Sequence, residues 1–238
     1  MHAMIDMLQT LLSAMAAWHF VAVAALLLLI VLFREVLWRI VSVVSLVGVW
    51  IGGALLFAAA IIVTTEVLLR KGVGALVGTT FIFSGSDEIS GYLFAVGTSL
   101  SLAYVLVTKG HVRIDVIYAQ FGPRMRAIMD VIALLVMAIF VSAVLERAID
   151  VASTSYLEQI RSNTNLRIPL AWSQIPWAFG FALFFLSILL ALTRALFALA
   201  RGDFSAVSAI AGVATTEEEI EAEIKGLEMG GRGSRSGD

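Results

Sequence analysis

Long uncharged apolar runs, separated by short polar stretches, set the pattern of this chain. Residues 41–65, 89–108 and 168–193 contain no charged side chain, and 127–145 contains only Asp130, close to its start. Crossing the hydrocarbon core of a bilayer takes roughly 20 mostly apolar residues in a helix. Inside that core every backbone N–H and C=O must be paired within the segment, and a single helix does this by itself. The four runs therefore predict four membrane-spanning helices. A transmembrane barrel would show short alternating strands instead. A fifth run, 17–33, is apolar apart from His19 and is of borderline length. It is either a fifth span or a helix lying at the interface or on a partner. Residues 1–16 hold no Lys or Arg, which argues against a secretory signal. The expected fold class is an all-α membrane protein: four core transmembrane helices plus an N-terminal apolar helix that is a candidate fifth span. The expected organisation is an N-terminal helix and arm over 1–40, a four-helix membrane domain over 41–201 and a partly disordered acidic tail over 202–238.

Composition agrees with that pattern. The chain is 60% hydrophobic and 14% charged, where a soluble domain is about half apolar and about a quarter charged. A net charge of −2 leaves no footprint for nucleic acid. With no cysteine, disulfides, thiol nucleophiles and Cys-ligated metals are excluded. Lys and Arg concentrate on the cytoplasmic side near span ends. Arg34, Arg39, Lys109, Arg113, Arg124, Arg126, Arg194 and Arg201 fall on one side, against Arg70, Lys71, Arg147, Arg161 and Arg167 on the other. The first side is expected to be cytoplasmic, and with it the C-terminus. The N-terminus is outside if 17–33 crosses and inside if it does not.

Ionisable groups inside a span are functional by default, and here almost none is placed there. Glu66 and Arg70 are four apart at the end of the first core run, a helical pair. Asp130 reads as a charge near a helix start that complements the macrodipole. Glu146, Arg147 and Asp150 cluster at the far end of their run and suit a surface or partner contact. A stand-alone carrier, which would need buried ionisable groups or broken helices, is disfavoured. The three histidines are His2, His19 and His111, so no facing pair for haem exists. No H-E-x-x-H motif is present. "FSGSDEIS" reads as a helix start in which Ser86 caps and Asp87 and Glu88 favour the positive end. No catalytic residue, metal or cofactor is expected. In the tail, Ile220, Ile224 and Leu227 have helical spacing, Thr216 and Glu219 form a capping box, and the Gly-rich end is expected to be disordered.

The basic stretch 109–126 fixes orientation by its charge, but its "GHVRIDVIY" at 110–118 is more particular than that. It resembles a mark of the small membrane subunit of tripartite ATP-independent periplasmic (TRAP) transporters, the DctQ family. "EVLLRKG" at 66–72, "SGSDEISGYLFAVGTSLSLAYVL" at 84–106 and "NLRIPLAWSQIPWAFGFALFF" at 165–185 resemble the family in the same order, so the likeness covers about 41–201. The run 17–33, the longer stretch 72–83 and the acidic tail depart from it. The resemblance implies a scaffold-like, non-enzymatic subunit of a sodium-coupled secondary transporter for uptake of an organic acid, in the bacterial inner membrane. Its implied partners are a large DctM-type membrane subunit and a DctP-type periplasmic substrate-binding protein, with the lipid bilayer around it. No substrate site is expected in this chain. The residues marked out for structural or partner contacts are Arg70, Asp87, Glu88, Tyr92, Gly110, His111, Arg113, Asp115, Arg167 and Pro169. The alternative is a stand-alone membrane carrier or channel.

Overall fold

The computed structural model describes residues 32–73, 85–110, 121–212 and 224. Four long helices form the body: α1 (Arg34–Val67), α2 (Ser86–Val107), α3 (Pro123–Leu157) and α4 (Ala171–Ala200). A π-helical turn, Leu68–Val73, prolongs α1, and a short helix α5 (Phe204–Ala211) follows α4. All four long helices are long and apolar enough to cross a membrane. The described residues contain no strand, only an isolated antiparallel bridge between Arg161 and Pro169. The four-helix expectation therefore holds. The run 17–33, apart from Leu32 and Phe33, and most of the acidic tail lie outside the described residues; Ile224 is helical.

α4 is the central helix. It packs on α2, α3 and α5 and more lightly on α1, while α1 packs mainly on α2. The interior is lined by small side chains. Ala103, Ala127, Ala148, Ala195, Ser45, Ser99 and Ser187 are almost fully buried. Large residues such as Trp50, Phe57, Phe94, Phe140 and Trp172 point outward. Leu134, Ile188 and Leu190 are buried among the small residues. A bilayer permits the large outward side chains, since lipid covers them, and the small ones let helix backbones approach closely. Two of the buried hydroxyls bond back to their own helix, Ser187 Oγ to the Leu183 carbonyl at 2.8 Å and Ser99 Oγ to Val96 at 3.0 Å, which pairs them in apolar surroundings.

The closest approach is between α1 and α2. Gly48 and Gly52 are one turn apart and face Leu100 and Gly97. A Cβ built on Gly52 would come 2.5 Å from the Gly97 carbonyl oxygen, and one on Gly97 would come 2.8 Å from that of Gly52. Gly180 of α4 is just as confined by Ser99, 2.6 Å from its carbonyl carbon.

The helix ends repeat one device. After α4, Gly202 takes φ 72°, its N–H donates to Leu199 at 2.9 Å, and that of Asp203 donates to Ala198 at 3.0 Å. This is a Schellman stop. Asp203 then opens α5 by accepting from the Ala206 N–H at 2.9 Å and the Ser205 hydroxyl at 2.8 Å. Those two bonds, the Ala206 N–H first, hold its carboxyl below the usual range. α2 stops in the same way, with Lys109 N–H on Leu106 and Gly110 N–H on Val105, but Lys109 occupies the left-handed position at φ 58°. A side chain there costs about 1 kcal/mol that glycine does not pay. Lys109→Gly is therefore expected to stabilise the chain by about 0.5–1 kcal/mol, read as a raised unfolding midpoint in detergent; an unchanged or lowered midpoint would contradict the account of this stop.

The helices outrun their apolar runs: α1 begins at Arg34 and α2 at Ser86, and α3 and α4 extend furthest at their ends. α4 continues past Thr193 to Ala200, because Arg194 is held by Glu35 at 3.6 Å and stacks on Trp38 at 4.7 Å, while Arg34 stacks on Phe197 at 4.7 Å. α3 begins at Pro123 and runs unbroken to Leu157, well beyond the charges at Glu146, Arg147 and Asp150. Asp130 is therefore not a first-turn charge. It is the eighth residue of α3, fully buried between Ala127 and Leu134 and engaged with a partner. The macrodipole reading of Asp130 is corrected: with the helix starting at Pro123, the carboxylate belongs to the packed interior.

Candidate functional site

Several of the polar side chains singled out converge on the start of α2. Glu88 lies in its first turn. One carboxylate oxygen accepts from Tyr92 Oη at 2.7 Å, one helical turn along. The other accepts from Thr164 Oγ1, whose hydroxyl also pairs with that of Ser162 at 2.9 Å. Glu88 thereby ties the α3–α4 loop to α2. Apolar contact supports the tie: Gly85 sits at φ 123°, and a Cβ there would come 2.2 Å from the Leu166 side chain. The residue is glycine because both the backbone angle and the neighbour demand it.

The loop is shaped by its own hydrogen bonds. Ser162 N–H donates to Ile168 and Leu170 N–H to Ile160, each at 3.0 Å, which makes the Arg161–Pro169 bridge. Between them Arg167 turns the chain at φ 46°. Pro169 closes the bridge, and its carbonyl accepts from Trp172 as α4 begins. Proline suits this position, since it has no N–H to satisfy.

Glu88, Tyr92, Arg167 and Pro169 are thus brought into one cap. Asp87 is exposed beside it, at the rim of an open groove lined by Leu56, Ala59, Val63 and Phe94. Arg70 is exposed in the π-helical turn after α1. Glu66 does not pair with Arg70. It accepts from the Ser86 hydroxyl and links α1 to α2. Ser86 is correspondingly not the cap of α2: Gly85 occupies the N-cap position and no side chain caps it. At the opposite end of the bundle Gly110 completes the stop of α2, while His111, Arg113 and Asp115 lie outside the described residues.

Sequence reasoning missed Thr164, Gly52 and Gly180. The spacing of Gly48 and Gly52, four apart in an apolar run, is the small-residue signal that marks close helix packing. No local signal points to Thr164, which meets Glu88 from 76 positions away.

Chemically this arrangement fastens helices. Its carboxylates accept hydroxyl hydrogens from neighbouring elements, and no described group of three or more His, Cys, Asp or Glu is placed to hold a metal ion. The described pockets are open grooves on the outer surface with mainly apolar walls.

The family comparison decides what kind of bundle this is. The model for tripartite ATP-independent periplasmic transporters, DctQ component, matches residues 59–198. The chain belongs to the DctQ family. The match runs from the C-terminal part of α1 to near the end of α4 and takes in the whole cap. It begins later than the resemblance read from 41 onward. The comparison with curated proteins found no match, and neither did that with solved structures. As a DctQ component the chain is a small membrane component of a TRAP transporter, a multi-pass protein of the inner membrane; the family works with DctM and DctP partners.

Proposed function

We propose that this chain is the scaffold-like small subunit of a sodium-coupled TRAP transporter for an organic acid. It works with a large DctM-type subunit, which moves the substrate, and a DctP-type periplasmic protein, which captures it. The C-terminus faces the cytoplasm. The observation that carries this reading is the use made of the interior. Where α1, α2 and α4 meet, Gly52, Gly97, Ser99 and Gly180 bring the backbones into contact. A carrier would need room there for a carboxylate and its coupling ion, with unwound or charged backbone around it. The described polar side chains at the ends of the helices hold the helices to one another instead.

The test is sodium-driven uptake of the transporter's organic acid in cells with and without this chain, the other two components being present. Uptake is expected to fall to background without it. Uptake at the normal rate in its absence would refute the reading, as would uptake by the purified chain alone in liposomes.

A further inference from the structure

The charged face of α3 carries an inference that rests on the subunit reading. Ala148 and Ala152 are buried against Ala178 of α4. Between and before them, Glu146, Arg147 and Asp150 point away from the bundle; the side chains of Arg147 and Asp150 are 78% and 65% exposed, with 3.8 Å between them.

Their depth follows from the register of the helices. α2 has 22 residues and is about 33 Å long, so crossing a core of about 30 Å uses nearly all of it. Its middle, near Gly97 and Ser99, is then near the bilayer midplane. Gly180 of α4 packs on Ser99, and Ala178 is half a turn away. Ala178 in turn packs with Ala148 and Ala152, so the charges of α3 lie near mid-depth rather than at the outer surface. Flanking positions Ile139 and Phe140 are exposed and apolar, 63% and 68%.

We propose that this face is the seat of the large membrane subunit, which covers Glu146, Arg147 and Asp150 with a transmembrane helix that supplies a Lys or Arg. Acyl chains cannot cover it, because ionisable groups at this depth are held by protein or by a water-filled cavity. Short carboxylate side chains cannot reach the headgroups in the way that long basic ones do near helix ends. A second copy of this chain would set two carboxylates and one guanidinium against the same set, leaving surplus negative charge. A cationic helix neutralises it, and Ile139 and Phe140 supply the apolar contact beside it.

The experiment co-expresses the full chain with an affinity-tagged large subunit. If the wild-type chain is not recovered with it, the subunit reading falls and this proposal falls with it. With wild-type recovery in hand, E146K combined with D150K is expected to lower recovery about tenfold or more, while the chain remains in the membrane with its orientation unchanged. E146Q with D150N is expected to lower it less. Normal recovery of the lysine variant overturns the assignment and leaves the subunit reading standing. The chain has no cysteine, so R147C provides a single thiol as a second readout. In the intact complex it is expected to resist a membrane-impermeant maleimide that labels E158C on the outer loop. Labelling of both at the same rate, or disulfide cross-linking of D150C between two copies of this chain, overturns the proposal.

Discussion

Gly52→Val is expected to force α1 away from α2 and to cost on the order of 3 kcal/mol. A Cβ at this position meets the Gly97 carbonyl oxygen at 2.5 Å and Ser101 Oγ at 2.4 Å. The serine can turn away, but the carbonyl belongs to the backbone of α2 and cannot. Overpacking a rigid site costs about 1–3 kcal/mol, and a backbone obstacle puts Gly52 at the upper end of that range. Separation also parts Ser86 from Glu66, so that end of the pair loosens as well. Gly53 supplies the control, since a Cβ there meets nothing within 4 Å. Gly53→Val is expected to leave the unfolding midpoint in detergent unchanged while Gly52→Val lowers it sharply. Equal midpoints for the two variants would contradict the packing described between α1 and α2.

Asp130→Leu is the second large effect expected, at about 2–4 kcal/mol. The residue is fully buried and engaged. Replacing a buried, engaged carboxylate with an apolar side chain takes from its partner the contact that Asp130 supplies, and unmade contacts of buried polar groups are where large penalties arise. Asp130→Asn keeps the shape and part of the hydrogen bonding, so it should recover some of the loss. The check is the unfolding midpoint of both variants in detergent. If leucine were as stable as the native residue, the carboxylate would be no more than a charge near a helix start, as its position in the run first suggests.

The contrast between these two residues shows what could be read from the chain. Four spans were legible because three uncharged runs of twenty or more residues, and a fourth of 19 with Asp130 as its one charge, have no other comfortable place than a bilayer. Their ends were less so. The charges at Glu146, Arg147 and Asp150 end a hydropathy run, but they do not end a helix, because the backbone bonds of α3 continue regardless and Ala148 and Ala152 still have Ala178 to pack on. The burial of Asp130 was hidden for a related reason: one carboxylate near the end of an apolar run looks the same whether it faces headgroups or the packed interior.

The cap over the start of α2 was half legible. Asp87 and Glu88 stand out as acidic residues at a helix start, and Tyr92 lies one turn on. Thr164 does not stand out, because only the folded loop brings it back to Glu88. Ser86 misled for the same reason. A serine before two acidic residues is a good cap by local rules, yet Glu66 from the preceding helix takes its hydroxyl, and the cap position falls to Gly85. The Gly48 and Gly52 spacing was readable from local rules alone, as a small-residue face in an apolar helix.

The most direct test of the central claim is to purify this chain, tagged at its C-terminus, from its native membranes and identify what accompanies it. The account predicts a many-span membrane protein of the DctM type in stoichiometric amount. Recovery of the chain alone, or only with further copies of itself, would contradict it.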